Sequence, residues 1–82
     1  MYDILFSDLA RKQLHKLDRG TQERIIAVLE RIRIRPEAYI SKLIGETAYK
    51  ARVGDYRLIL DLDKGNLIVL VIKIGHRSKI YK

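Results

Sequence analysis

After a short alternating stretch at the N-terminus, the spacing of apolar residues in this 82-residue chain is first helical and then two, and the change falls beyond its single proline. Before Pro36 the spacing is helical: Ala10, Leu14 and Leu17 form one stripe, and Ile25, Val28, Leu29 and Ile32 form a second. From Thr47 onward the spacing is two, as in strands with one buried face. A chain divided this way cannot be a pure helix bundle or a pure sandwich. The expectation is an α+β domain in which helices cover one face of a sheet.

The boundaries follow from local chemistry. Tyr2, Ile4 and Phe6 alternate with Asp3 and Leu5, a short strand. Ser7 offers an N-cap and Asp8 an acid in the first turn, where the helix dipole favours it, so a helix runs to about Asp18. Asp18-Arg19-Gly20 interrupts it, Thr21 caps a second helix, and Pro36 stops that helix near Arg35. Segment 37–46 has no clear period; Ala38, Tyr39, Ile40, Leu43 and Ile44 read as anchors in a connection. Strands follow over Thr47–Val53, Tyr56–Leu62 and Leu67–Ile74, the last apolar on both faces except at Lys73 and therefore central. The expected order is β-α-α-β-β-β: a helical hairpin on a mostly antiparallel four-stranded sheet, one domain over residues 1–82.

Composition narrows the chemistry. With no cysteine, disulfides, thiolate metal sites and cysteine nucleophiles are excluded. His15 and His76 are too few for a metal centre, and His15 between Arg11 and Arg19 reads as part of a solvated basic face. The longest apolar run, Leu67–Ile72, is far short of the ~20 residues of a membrane helix. The N-terminal stretch lacks a basic signal-peptide region, so a cytoplasmic location is expected. The net charge of +7 is spread along the chain, +3 over residues 1–45 and +4 over 46–82. It fits either simple solubility or a polyanionic partner.

The hairpin over Gly54-Asp55 is the informative place. A two-residue loop with glycine first suits a type II′ turn and pairs Val53 with Tyr56. Arg52 then lies opposite Arg57, with Lys50 further along the same face. Directly opposed like charges cost stability in a sheet. Either the guanidiniums fan into water or meet Asp61 and Glu46, or they converge on an anion such as phosphate. The basic segment from His76 to Lys82 must follow the central strand, which lets Arg77 join them. His76 and Tyr81 add groups able to move a proton or stack on a base. Phosphate clamps, a stacking surface and acid–base groups without a metal suit RNA cleavage by internal transesterification, which needs in-line positioning and cationic stabilisation.

The run Tyr49-Lys50-Ala51-Arg52-Val53-Gly54-Asp55-Tyr56-Arg57, with Ile74-Gly75-His76-Arg77 and Tyr81, resembles the RelE/ParE toxin superfamily. Phe6-Ser7, Ala10 and Leu14-His15-Lys16-Leu17 fit that family's first strand and helix. The resemblance implies a fold like that of small microbial ribonucleases and a ribosome-dependent messenger-RNA endonuclease of a type II toxin–antitoxin pair. It implies a cognate antitoxin as protein partner, messenger RNA in the ribosomal A site and ribosomal RNA as nucleic-acid partners, and no cofactor or metal. By position, Arg57 and Arg77 match transition-state-stabilising arginines, Lys50 a general base, Arg52 another basic site position, and Tyr81 a tyrosine that stacks on the message. His76 resembles histidines that transfer protons in relatives, and Lys79 joins Arg52, Arg57 and Arg77 as a phosphate-binding candidate. A ParE-like gyrase poison without nuclease activity is the rival within the superfamily. A nucleic-acid-binding helical hairpin, with Arg24, Arg31 and Arg35 along one stripe, is a third reading; that stripe is more simply a solvated face.

Overall fold

A computed structural model describes residues 1–45 and 47–78. Its elements are β1 (Asp3–Phe6), α1 (Asp8–His15), α2 (Arg19–Ile34), a 3₁₀ turn (Pro36–Ala38), β2 (Ser41–Lys42), β3 (Tyr49–Val53), β4 (Tyr56–Asp63) and β5 (Ile68–His76). The sheet has five strands in the order β1-β5-β4-β3-β2, with β1 parallel to β5 and the other pairs antiparallel. The expected α+β class and the central position of β5 match. The count of four strands is corrected to five. The extra strand is Ser41–Lys42, too short and too polar to show a period.

Helix limits also shift. α1 stops at His15, three residues before the expected end. α2 begins at Arg19 because Asp18, not Thr21, is the N-cap: its carboxylate accepts from the Thr21 amide (3.1 Å) and the Thr21 hydroxyl (2.6 Å). Both residues are good caps, and Asp18 lies where the chain is still extended. The bond from the Thr21 hydroxyl, then that from its amide, holds the Asp18 carboxyl below its ordinary value of 3.8.

Strand register sorts the sheet into two faces. Ala51 and Val53 of β3, Leu58 and Leu60 of β4, and Val69, Val71 and Ile74 of β5 are buried together with Ala10, Ile25, Leu29 and Ile32 of the helices. Both helices therefore cover the same face. The step from Val71 to Ile74 is three residues, not two, because Ile59 pairs with Lys73 while Leu60 pairs with Val71. Ile72 is the extra residue of a β-bulge, which turns both Val71 and Ile74 inward. This is why β5 reads as apolar on both faces.

Strand β1 ends at Phe6, so among the described residues the last part of β5 has no strand on that side. Side chains of α1 and its cap replace it. Ser7 Oγ donates to the Ile72 carbonyl (2.6 Å) while accepting from the Ala10 amide (3.0 Å), and Gln13 Oε1 accepts from the Ile74 amide (2.7 Å). Gln13→Leu orphans that part-buried amide and is expected to cost about 1–3 kcal/mol. Gln13→Glu, which keeps an acceptor, is expected to cost less. Thermal melts check this, since ~1 kcal/mol moves a domain of this size by about 4–8 °C. A Gln13→Leu protein that melts at the wild-type temperature would show that the bond contributes nothing.

Candidate functional site

The face of the sheet away from the helices carries the cations. The turn at Gly54-Asp55 has positive φ at Gly54 (59°), and Asp55 is not in the left-handed region, which excludes a type I′ turn and fits type II′. Val53 accordingly pairs with Tyr56, and Arg52 lies directly opposite Arg57. Ser41 pairs with Lys50, Lys50 with Ile59, and Ile59 with Lys73, making a second row beside the arginines. Lys50, Arg52, Arg57 and Lys73 thus share the uncovered face.

A hollow of about 380 Å³ opens here, lined by Ala38, Tyr39, Ser41, Lys50, Ala51, Arg52 and Arg57. Lys50 and Arg57 are half-buried and Arg52 is exposed. Among the described residues, neither Lys50 nor Arg52 makes an ion pair. Asp61, one of the two expected neutralisers, lies four residues from Arg57 on β4, roughly 13 Å by strand rise. Its carboxylate accepts from the Leu62 amide. Glu46, the other, lies outside the described residues.

A larger hollow, about 450 Å³, lies at the opposite sheet edge between β1 and α2, bordered by Ile4, Leu5, Phe6, Ile26, Leu29, Asp3, Glu30 and Arg33. It is mostly apolar, and its one cation is engaged: Arg33 donates to Glu30 (2.9 Å) and to the Tyr2 carbonyl (3.1 Å). Size favours this hollow; convergent charge favours the smaller one, and charge decides for anion chemistry.

The sequence candidates fall into three groups. Lys50, Arg52 and Arg57 come together around the hollow. Arg77 is tied to the same end of the sheet, its amide donating to the Asp55 carbonyl in the turn (2.7 Å). His76 pairs with Tyr56 in the row that continues the helix-covered face, and the two rings meet edge-on at 5.4 Å and 82°. Its Nδ1 accepts from the Ser78 amide (3.3 Å) and lies 2.9 Å from the Ser78 hydroxyl. The register therefore sets His76 on the other side of the sheet from the three clustered cations. Tyr81 and Lys79 lie outside the described residues. Tyr39, Ser41 and Lys73 border the site without having been singled out from sequence. Lys73 is the sole polar residue between Leu67 and Gly75, a signal available beforehand; Tyr39 and Ser41 had none, because they sit in the stretch without a period.

Among the described residues, no group of three or more His, Asp or Glu could hold a metal ion. The arrangement can bind and polarise a phosphodiester through several cations on one face.

Comparison with known proteins decides the family. The model of the ParE toxin of the type II toxin–antitoxin system parDE matches residues 4–81. The chain belongs to this RelE/ParE toxin family. Toxin RelG of Mycobacterium tuberculosis is 28% identical over 85 residues, covering 99% of this chain and 97% of that protein. The toxin–antitoxin complex RelBE2 of the same organism contains a chain that superposes with a TM-score of 0.85 at 26% identity, covering 93% of this chain and 98% of that one. The isolated Escherichia coli RelE toxin superposes at 0.81 with 30% identity, covering 99% and 92%. The toxin is thus similar to RelE-named proteins in sequence and structure while matching a ParE-named family model. The match to residues 4–81 takes in both the basic hairpin and the basic tail.

Proposed function

We propose that this toxin is a ribosome-dependent messenger-RNA endoribonuclease that cleaves by attack of a 2′-hydroxyl on the adjacent phosphorus, without a metal. The observation that carries this reading is the pairing of Arg52 with Arg57 on an uncovered face beside Lys50. Such crowding is unfavourable unless an anion joins it. In the proposed mechanism Arg57 and Arg77 stabilise the charge that builds on the phosphoryl oxygens. Arg52 and Lys79 hold the substrate phosphates. Lys50 takes the 2′-hydroxyl proton, and Tyr81 stacks on the message and offers its hydroxyl as proton donor to the departing 5′-oxygen; His76, on the opposite side of the sheet, takes no part. The ribosome supplies the in-line geometry that a shallow open face does not.

Primer extension on translated messages, with end-group analysis, tests this. Codon-phased cuts with 5′-hydroxyl and 2′,3′-cyclic or 3′-phosphate ends are expected, persisting in chelator when enough magnesium remains to keep ribosomes intact. Cuts with 5′-phosphate ends would overturn the mechanism. Intact messages with cleaved DNA would instead support the second reading, a ParE-like gyrase poison, which the ParE-named family model favours.

The partner we propose is a cognate antitoxin, as in the toxin–antitoxin complexes to which the chain is structurally similar. A +7 toxin is suited to an acidic or amphipathic segment. Its association rate with the antitoxin should fall as salt rises, by charge screening. A rate constant unchanged between low and high salt would remove electrostatics from the encounter.

A further inference from the structure

Cations that hold phosphates do not hold bases, so a polynucleotide site needs a second kind of surface. Tyr39 supplies one. It borders the hollow together with Ser41, Lys50, Arg52 and Arg57, and 46% of it is exposed. The other described tyrosines are placed elsewhere. Tyr2 is bonded to Arg33 at the far edge of the sheet, Tyr49 pairs with Leu60 on the helix-covered face, and Tyr56 meets His76.

The segment bearing Tyr39 is anchored on both sides. Pro36 is buried, the Tyr39 and Ile40 amides both donate to its carbonyl (3.0 and 3.1 Å), and Ile40 packs against the core. Ser41 then pairs with Lys50, setting its hydroxyl-bearing side chain in the cation rows. Tyr39 is therefore an exposed aromatic ring on a short, braced turn beside clustered positive charge, with a hydroxyl two residues on. A core anchor would be covered; Ile40 fills that role instead.

We infer that Tyr39 is a nucleobase-stacking residue, packing its ring on the base of a nucleotide whose phosphate rests on Arg52 and Arg57, with Ser41 placed to hydrogen-bond the sugar or base edge. The inference rests on the proposed polynucleotide reading of the cation face. It is a positioning role: the ring orients the strand, and the cations act on the phosphate.

Two probes separate stacking from charge: an uncleavable 2′-O-methyl oligoadenylate, and inorganic tripolyphosphate, which has charge but no base. Calorimetric titration of wild-type, Tyr39→Ala and Tyr39→Phe proteins is the measurement, with melts alongside. Tyr39→Ala should weaken oligoadenylate binding about 5- to 150-fold, the range for loss of one base–aromatic stack, and leave tripolyphosphate binding within about twofold. Tyr39→Phe should bind both like wild type. Tyr39→Ala that keeps wild-type oligoadenylate affinity, or loses both probes equally, overturns the inference, as does a Tyr39→Phe variant no better than alanine. Failure of the parent reading looks different. Arg52→Ala and Arg57→Ala proteins that bind both probes like wild type would remove the cation site itself.

Discussion

Arg57→Ala and Arg77→Ala should each slow single-turnover cleavage on programmed ribosomes by roughly 10²- to 10³-fold, about 3–4 kcal/mol, by analogy with loss of one oxyanion donor. The charge that these guanidiniums are proposed to meet grows on the phosphoryl oxygens as the 2′-oxygen attacks, so the loss should fall on the rate at saturating toxin more than on the half-saturating concentration. Folding should be nearly unaffected. Arg57 is half-buried and its stem packs, which favours the native residue, but its removal relieves the opposition to Arg52. Arg77 is exposed and contributes its main-chain bond to Asp55, which alanine keeps. Tyr81→Phe is the companion measurement. Retained activity would assign Tyr81 to stacking, and a loss of about 10²-fold or more would assign its hydroxyl to proton transfer. Folded Arg57→Ala and Arg77→Ala proteins that cleave at the wild-type rate would sink the nuclease reading and turn attention to gyrase.

Why the arginine pair was legible in the sequence, and its surroundings were not, has a physical basis. Register in a two-residue hairpin is set by the turn, so Gly54-Asp55 alone places Arg52 opposite Arg57. The interior place of β5 is expected from an apolar pattern broken only at Lys73, and the strand does lie between β1 and β4. The bulge at Ile72 carried no composition signal; it is chosen by the need to bury both Val71 and Ile74 once α1 is docked. The shift of the α2 cap from Thr21 to Asp18 is a choice between two suitable side chains three residues apart, settled by where the chain leaves extended geometry. Strand β2 exists because Ser41 and Lys42 lie beside β3, not because of what they are. The same tertiary placement brings Tyr39 to the cations, whereas the β4–β5 register, which pairs His76 with Tyr56, puts His76 on the far side of the sheet although it adjoins Arg77 in sequence.

The largest loss of stability is expected from Leu58→Ala, at about 2–5 kcal/mol. Leu58 is fully buried in the middle of β4, with Ala51 across from it on β3 and Ile74 on β5. Ala51 is small and cannot expand into the void, and Ile74 is held in place by the Gln13 bond to its amide. The site therefore has little freedom to collapse, which puts the cost toward the upper end of the range. A chain of 82 residues, with total stability of roughly 4–12 kcal/mol at ordinary values per residue, would lose a large share of it. Ile25→Val, which removes one methyl from an equally buried position on α2, should cost only about 0.5–1.5 kcal/mol. Urea titrations of the three proteins measure the difference, with a lower midpoint and unchanged slope expected for each variant. The comparison also bears on the site, because Leu58 lies between the hairpin arginine Arg57 and Ile59 of the lysine row on the opposite face of the same strand. Loss of Leu58 should loosen β4 and so weaken cleavage at temperatures where the protein is still mostly folded, whereas Ile25→Val should leave cleavage unchanged there. A Leu58→Ala protein as stable as wild type would mean that the core around β4 is not packed as described.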